Sequence, residues 1–297
     1  MQRIIVEEGN DRIDAYLSKK LDISRSKISK MLESNVLVND KKVKSSYVVK
    51  SNDIIQVEEY IEEQLSVEPE NMNLDIVYED DDVIVVNKPN GMVVHPAIGN
   101  TKHTLVNGLM YHSNCLSKVN GSFRPGIVHR IDAYTTGLLM VAKNDKAHEF
   151  LSKELSEQKA NRKYIALVWG VIKPDTATID APIGRDLKDR KKMAVVADGK
   201  PAVTHLKVLE RYSNATLIEV TLETGRTHQI RVHLNYIGYP IVNDPVYGKR
   251  KLIDNSGQCL HAKELGFIHP KTGEYKHFSS ELPECFINIL NKFKEDL

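Results

Sequence analysis

The sequence predicts an α+β fold built from a small helix-and-strand module and a larger domain. From Leu74 onward, short apolar runs with strand character alternate with helical stretches, a pattern that favours a mixed, largely antiparallel sheet. Residues 61–73 are acidic and polar and include Pro69, as expected for a linker. With 297 residues, 41% of them hydrophobic, the chain can bury a sizeable core in more than one domain. We therefore expect a module over residues 1–60, a linker over 61–73 and a domain over 74–297.

The individual elements follow from hydrophobic spacing. In the module, Ile13, Leu17 and Leu21 recur at helical spacing, and Ser24 can cap a second helix that begins after it. Alternating or continuous apolar runs bounded by polar turns indicate strands. The strand-like runs are residues 36–38, 54–57, 83–86, 138–142, 164–168 and 216–222, and the helical stretches of the larger domain are 146–158 and 228–236.

Charge is unevenly spread along a chain whose net charge is only +1. Residues 19–50 hold nine basic side chains against three acidic ones, whereas residues 51–82 hold twelve acidic side chains and no Lys or Arg. Arg25, Lys27 and Lys30 fall largely off the apolar stripe of the second helix. This segregation predicts a basic surface suited to a polyanion, although solvated helix faces would give a similar pattern.

Several classes of protein are disfavoured by composition. Cys115, Cys259 and Cys285 are odd in number and far apart, which argues against a disulfide framework or a zinc cluster and fits a reducing cytosol. No apolar stretch approaches the roughly 20 residues that span a bilayer, and the N-terminus has no signal-peptide core. His228 and His233 are five residues apart, so they lack the zinc-binding spacing. We expect a cytoplasmic protein that contacts no membrane and has no metal.

The polar loop between the apolar residues 127–128 and the run 138–142 is the best candidate for chemistry. Both runs are expected to be strands, and Asp132 lies between them. A carboxylate on such a loop can be held in a cleft beside other polar groups. The alternative is an ordinary turn in which Asp132 closes a local hydrogen bond. Two further polar stretches, residues 161–170 and 225–234, could complete a site around this carboxylate.

The sequence of this loop resembles a family signature. His-Arg-Ile-Asp-Ala-Tyr-Thr-Thr-Gly at residues 129–137 is similar to the His-Arg-Leu-Asp-x-x-Thr-Ser-Gly pattern of the RluA family of RNA pseudouridine synthases, from which Ile131 and Thr136 depart conservatively. Further blocks resemble the family in the same order along the chain. They are residues 87–91, 162–164, 225–233 and 261–270.

The resemblance implies a reaction and the residues that carry it. Uracil is detached from ribose, turned over and rejoined through carbon, which needs an ionised carboxylate acting as a nucleophile or as a base but no redox or nucleotide cofactor. Asp132 matches the catalytic aspartate and Arg231 the arginine that pairs with it. Tyr164 matches the active-site tyrosine, and Arg130 matches the arginine that fills the space left by the flipped base. On local pattern alone, Arg231 could be a solvated helix residue and Tyr164 a core residue.

Resemblance also suggests two RNA-binding elements. Residues 1–60 resemble the RNA-binding module named after ribosomal protein S-four, in which a helical pair carries basic residues such as Arg25, Lys27 and Lys30. The loop 185–192 resembles the basic loop of the RluD-like branch, which acts on large-subunit ribosomal RNA. Solvated loop charge is the alternative there. The loop residues expected to contact the RNA backbone are Arg185, Arg190, Lys191 and Lys192.

The sequence therefore predicts an enzyme that isomerises uridines in structured RNA, most simply in large-subunit ribosomal RNA. Transfer RNA is an alternative substrate, because the same motifs serve both. A non-catalytic RNA-binding or ribosome-assembly factor on the same fold is a second alternative, and the presence of Asp132 argues against it. A glycoside hydrolase is a third, but it would need a second carboxylate facing Asp132 at about 5–10 Å.

Overall fold

The computed structural model describes residues 2–58, 67–96, 100–121, 123–248 and 252–294, apart from the side chains of Ser26 and Lys27. The chain divides into two compact units, Met1–Gln64 and Leu65–Leu297. The expected linker over 61–73 lies partly outside the described residues. Its described part belongs to the second unit, where Val67 packs into the core and the N–H of Glu70 donates to the carbonyl of Asn107 at 3.0 Å.

The first unit is a three-stranded antiparallel sheet with two helices. Both predicted helices and both predicted strands are present, and a further strand at the N-terminus, which hydrophobic spacing did not indicate, pairs with β3. Apolar residues from the helices and strands, including Ile13, Leu17 and Ile55, form a separate core. The elements are β1 (Gln2–Ile5), α1 (Ile13–Leu21), α2 (Arg25–Ser34), β2 (Val36–Val38) and β3 (Ile54–Val57).

The second unit is built on a nine-stranded sheet in the order β4-β5-β6-β13-β7-β12-β11-β8, with β14 paired to β13. Among the described residues, the pairing of β13 with β6 is parallel and the other pairings in this sheet are antiparallel. The predicted α+β class with a mixed, largely antiparallel sheet is confirmed. The strands are β4 (Asp75–Glu79), β5 (Val83–Lys88), β6 (Thr136–Ala142), β7 (Asn161–Trp169), β8 (Thr176–Asp180), β9 (Ile183–Arg185), β10 (Met193–Val195), β11 (Val203–Arg211), β12 (Ala215–Leu222), β13 (Leu260–Ile268) and β14 (Tyr275–Ser279).

Four helices accompany the sheet, and β9 and β10 form a separate antiparallel hairpin. Within the residues that the structure describes, every helix is too short or too polar to cross a membrane. The helices are α3 (Leu105–His112), α4 (Asp145–Ser156), α5 (Gln229–Tyr236) and α6 (Glu284–Lys294).

Strand β13 brings distant parts of the sequence together. Ala262 pairs with Gly137 of β6 on one side and with Tyr164 of β7 on the other. Gly137 has a φ of +104°, and a Cβ there would collide with the backbone of Ala262. Glycine is therefore required by both the backbone conformation and the close approach of β13. This pairing places the loop before β6, which carries Asp132, near the start of β7.

One local prediction around the site was wrong. Residues 127–128 do not form a strand, because Ile127 makes an isolated bridge to Val141 and the chain then turns into the Asp132 loop. Helix α5 begins at Gln229, and its N-cap is His228 with a φ of 56° and no side-chain cap. The nearby amide side chain of Gln229 instead accepts from the N–H of Arg226 at 2.9 Å and donates to the carbonyl of Val203 at 2.9 Å. Polar contacts outside the helix thus fix where it starts.

Candidate active site

Asp132 and Arg231 meet although 99 residues separate them. Nη1 of Arg231 donates to Oδ2 of Asp132 at 2.8 Å. The Arg231 side chain is 5% exposed and that of Asp132 is 18% exposed, so the carboxylate keeps an open face while the guanidinium is covered. A charge-assisted hydrogen bond of this kind fixes the orientation of the carboxylate.

Asp244 holds the other edge of the same guanidinium. Its oxygens accept from Nε of Arg231 at 2.7 Å and from Nη2 at 2.9 Å, and its side chain is fully buried. The backbone N–H groups of Val246 and Tyr247 also donate to Asp244. Although burial alone would lower the pKa of Arg231, Asp244 and then Asp132 raise it. Asp244 is a second buried acid, but it binds the far edge of Arg231 instead of facing Asp132 across a gap, unlike the carboxylate pair of a glycoside hydrolase.

His228 lies on the other side of the Asp132 carboxylate. Its Nε2 is 3.8 Å from Oδ1 of Asp132, and its Nδ1 is 2.8 Å from the hydroxyl of Tyr247. That hydroxyl accepts from the N–H of Met193 at 3.0 Å, so donating its own proton to Nδ1 satisfies it on both sides. A neutral ring that accepts at Nδ1 carries its proton on Nε2, the nitrogen that lies 3.8 Å from Asp132. Burial lowers the pKa of His228, an effect that the charge of Asp132 opposes.

Lys88, at the end of β5, anchors the Asp132 loop. Its buried ammonium donates to the carbonyls of Pro89 at 2.9 Å, Met92 at 2.9 Å and Ala133 at 2.8 Å. These three carbonyls use all the donors that an ammonium has. Burial lowers the pKa of Lys88 to about 7, partly offset by the negative charge of Asp132. The residue next to Asp132 is thereby tied to a strand of the central sheet.

His129 anchors the same loop from its other end. Its Nε2 accepts from the backbone N–H of Met140 in β6 at 3.1 Å, which requires a neutral ring. Burial of the ring and, to a smaller extent, the positive charge of Arg162 lower the pKa of His129 to about 3. The loop is therefore held to β5 through Lys88 and to β6 through His129.

A cleft of about 420 Å³ opens beside Asp132. Tyr164, 5% exposed, projects into it from β7, and Arg130 is exposed where it borders the cleft. Four arginines and one aspartate line the cleft, so its charge is positive even after the fully buried Asp244 is counted. Such a cleft suits an anionic ligand with a planar group that can stack on a ring. The charged residues that line it are Arg130, Asp132, Arg162, Arg226 and Arg231.

The residues expected to contact RNA outside the cleft lie on two elements. In the first unit, Arg25 donates to the buried carboxylate of Asp14 at 3.0 Å and is 58% exposed on its side chain, and Lys30 is exposed. Asp14 also binds Arg12 at 3.1 Å, so two exposed guanidinium groups are held side by side. The side chain of Lys27 lies outside the described residues.

The second element is the hairpin formed by β9 and β10. Nη1 of Arg185 donates to the carbonyl of Arg190 at 3.1 Å, which orders the connecting turn. Arg185, Arg190 and Lys191 are exposed, and Lys192 is half-buried with its ammonium 3.9 Å from Asp189. The base of the hairpin packs on α5 through Val232, so this basic turn belongs to the same structural unit as the cleft.

Local sequence patterns point only weakly to Asp244, His228 and Arg162. Asp244 stands between Asn243 and Pro245, after the apolar pair at 241–242, where a carboxylate is typical of a turn. The spacing of His228 relative to His233 does not fit a zinc site, and no other local spacing singles out His228. Arg162 lies in the same block as Tyr164, and strand alternation could have placed both on one face. Their importance depends on contacts between segments far apart in sequence.

One cluster in the described residues has groups that a metal ion could bind, formed by Asp80, Asp82 and His269. Asp80 already accepts from the hydroxyl of Tyr78 at 2.6 Å and contacts Nε2 of His269 at 2.7 Å. These hydrogen bonds, with that of Asn144 to Asp82 at 2.8 Å, connect turns at the ends of strands. The cluster therefore has a structural explanation.

Comparisons with known proteins identify the family of the chain. A sequence profile described as RNA pseudouridylate synthase matches residues 82–236, and one described as S4 domain matches residues 11–55. The chain is 54% identical to the uncharacterized RNA pseudouridine synthase YlyB of Bacillus subtilis (strain 168), covering 98% of this chain and 96% of that protein. It is 45% identical to ribosomal large subunit pseudouridine synthase D of Neisseria meningitidis serogroup B, covering 96% of this chain and 79% of that protein.

A solved structure shares the fold. Human RNA Pseudouridylate Synthase Domain Containing 1 superposes with a TM-score of 0.58 at 25% identity, covering 79% of this chain and 98% of that one. The chain therefore belongs to the RNA pseudouridylate synthase family, with an S4 domain at its N-terminal end, and is an RNA pseudouridine synthase.

Proposed function

We propose that this synthase isomerises uridines in large-subunit ribosomal RNA, with Asp132 as the reacting carboxylate and Arg231 as its partner. The observation that carries the proposal is the 2.8 Å hydrogen bond from Nη1 of Arg231 to Asp132 at the wall of an open cleft. The ribosomal substrate is supported by the name of the Neisseria relative, which matches nearly the whole chain.

The arrangement explains how a carboxylate stays reactive once substrate covers it. A nucleotide entering the cleft displaces water, and loss of water favours the neutral acid. Arg231 opposes this change, because its positive charge is already desolvated and is held in place by Asp244. Asp132 can then act as an anion on the ribose of the bound uridine, and His228 offers an N–H group on its other side.

Tyr164 and Arg130 act on the base in this proposal. A uridine in folded RNA must leave its stack to enter the cleft, at a cost of a few kcal/mol. The Tyr164 ring can stack on uracil for about 1–3 kcal/mol. Arg130 is exposed two residues before Asp132, where it can occupy the space left in the RNA. Together these residues offset the cost of flipping the base.

Affinity for the rest of the RNA comes from the two basic elements. We assign backbone contacts to Arg25, Lys27 and Lys30 of the S4 domain and to the basic turn of the β9–β10 hairpin. Each phosphate that such a residue neutralises releases counterions, so binding should weaken steeply with salt. The hairpin residues with this role are Arg185, Arg190, Lys191 and Lys192.

The proposal is tested by mapping pseudouridines in total RNA. Cells lacking the gene are compared with cells complemented by the wild-type protein or by Asp132→Asn, which is close in size but cannot ionise. We expect one or more large-subunit rRNA positions to lose modification in the deletion and in the Asp132→Asn strain, and to regain it with wild type. Loss confined to transfer RNA would overturn the ribosomal assignment, and restoration by Asp132→Asn would overturn the role of the carboxylate.

A further inference from the structure

Arg162 is a buried cation in the cleft that the proposed chemistry does not use. It is the second residue of β7, is 8% exposed and lines the same cleft as Asp132. Its Nε is buried without a hydrogen-bond partner among the described residues. An arginine cannot shed its charge in a protein, so burial of this group is costly until a partner arrives.

The other arginines of the cleft are already engaged or exposed. Arg231 is bound by Asp244 and Asp132, and Nε of Arg226 donates to the carbonyl of Pro201 at 2.9 Å. Arg130 is exposed to water. Among the described residues, Arg162 is therefore the cleft arginine that is both covered and without an anionic partner.

The segment that follows β12, the strand paired with β7, leaves room for the Arg162 guanidinium. Gly225 also lines the cleft, and a Cβ built on it would lie 3.1 Å from Nη1 of Arg162. Gly225 has no left-handed backbone conformation that would demand glycine. The absence of a side chain at Gly225 therefore leaves room for the guanidinium at this position.

Arg162 is placed to meet the backbone of a nucleotide whose base lies on Tyr164. The two residues are two apart on β7, so they share a face and their Cα atoms are about 6–7 Å apart. Uracil and ribose are neutral, and the phosphodiester is the anion that RNA brings with it. A guanidinium matches a phosphate in charge and in its paired hydrogen-bond donors.

We propose that Arg162 binds a backbone phosphate adjacent to the flipped uridine, so that the incoming RNA supplies the anion missing from this wall of the cleft. The inference rests on the proposed function, because it takes the Asp132 cleft as the place where RNA is bound. It assigns Arg162 to substrate binding, and it leaves the bond-breaking step to Asp132.

The experiment is a double-mutant cycle on affinity. The probe is an RNA stem-loop containing the uridine located by pseudouridine mapping, made with its natural backbone or with one neutral methylphosphonate at each phosphate in turn around that uridine. Wild type and Arg162→Met are compared, with Lys271→Met as a control that removes one exposed charge from the β13–β14 turn, which contributes no residue to the cleft.

With natural RNA, we expect Arg162→Met to bind about ten- to a hundredfold more weakly than wild type, and Lys271→Met within about twofold of it. A methylphosphonate at one particular phosphate should weaken RNA binding by the wild-type protein by a similar factor. The same substitution should leave RNA binding by Arg162→Met unchanged. Arg162→Lys, which keeps the charge, should recover most of the lost affinity. The melting temperature of Arg162→Met should not fall, because the change removes an unpaired buried charge.

Two outcomes would overturn the inference. One is that Arg162→Met binds the natural RNA as tightly as the wild-type protein does. The other is that each methylphosphonate weakens binding by the same factor in Arg162→Met as in wild type, at every phosphate tested. Arg162 would then act on the base or on folding, and not on a phosphate. The cycle measures binding and not turnover, so it gives its answer even if Asp132→Asn still forms pseudouridine and the proposed function fails.

Discussion

At the scale of single residues, the site depends on one guanidinium that serves two carboxylates. Arg231 uses Nε and Nη2 on the fully buried Asp244 and Nη1 on the partly open Asp132. Because Asp244 fixes the plane of the guanidinium, the direction of Nη1 is set before substrate enters. Asp244 is thus a positioning residue that acts on Asp132 through Arg231.

Arg231→Lys should separate charge from geometry. A single ammonium cannot bind both edges, so either Asp244 or Asp132 loses its partner. We expect single-turnover pseudouridine formation to slow by about 10²–10³-fold, with RNA affinity nearly unchanged. The matched control is Arg211→Lys, whose native arginine pairs with Asp175 on the surface and which should retain activity. A rate for Arg231→Lys within threefold of wild type would contradict this role.

His228 offers a test of the proton placement beside Asp132. Nitrogen-15 NMR at neutral pH should find the His228 proton on Nε2, because Nδ1 accepts from the Tyr247 hydroxyl 2.8 Å away. Tyr247→Phe removes that donor and should mix the two neutral forms. His228→Gln should lower kcat about tenfold without changing RNA affinity. A proton found on Nδ1 in the wild-type protein would refute the assignment.

At the scale of elements, β13 assembles the site by pairing with β6 and β7. The Asp132 loop leads into β6, and Tyr164 lies on β7. These two strands are not neighbours in the sheet, because β13 with Ala262 lies between them. The closeness of β6 to β13 is possible because Gly137 has no side chain. Catalytic geometry is therefore tied to a backbone contact several residues away from the carboxylate.

Gly137→Ala should damage this contact. The added methyl group would meet the backbone of Ala262, and the φ of +104° is strained for alanine. We expect a loss of about 3 kcal/mol or more in unfolding free energy and a matching loss of activity, measured by urea denaturation and pseudouridine formation. The control is Gly273→Ala, at a positive φ of +72° in open space, where the backbone strain is present without the collision. Equal stability losses in both variants would contradict the steric argument.

Sequence reasoning located six of the fourteen strands in the described residues and three candidate site residues, but not their connections. Asp132, Tyr164 and Arg231 each lie in a polar motif, and periodicity identified the strand or helix beside it. Asp244 was missed because its partner is a side chain of another element, and no local pattern records such a pairing. The prediction of a strand at 127–128 was wrong, because an apolar pair beside a turn can be buried without forming a ladder of backbone hydrogen bonds to another strand.

At the scale of the whole molecule, the near-neutral net charge conceals a separation of roles. Basic residues concentrate in the S4 domain, the β9–β10 hairpin and the cleft, while acidic residues concentrate over residues 51–82. The separation was visible in sequence, but the location of the cleft was not. Two units with separate cores allow RNA affinity and chemistry to be altered by different mutations.

The second unit should lose stability in mild acid. Burial, the largest cause in each case, lowers the pKa of both His95 and His261 to about 4. At pH 7 both histidines are largely neutral in the folded and in the unfolded chain. Below about pH 6.5 the unfolded chain binds a proton at each histidine, whereas the folded chain binds these protons only near pH 4. These two histidines alone should therefore lower the unfolding free energy between pH 6.5 and pH 4, by about 2–4 kcal/mol at pH 5.

Urea denaturation at pH 7 and pH 5 measures this loss. In His261→Asn the unfolding free energy should differ less between the two pH values, because one of the buried histidines with a lowered pKa has been removed. His103→Gln, at a histidine whose side chain is 82% exposed, should show the wild-type difference. Equal stability of the wild-type protein at both pH values would rule out the burial argument.

The central claim is that Asp132, held by Arg231, is the carboxylate that reacts. It is tested most directly by pseudouridine formation in large-subunit ribosomal RNA with purified Asp132→Asn protein, alongside its RNA affinity and melting temperature. The account predicts no pseudouridine above background in a protein that still folds and binds RNA. Turnover by Asp132→Asn within tenfold of the wild-type rate would contradict it.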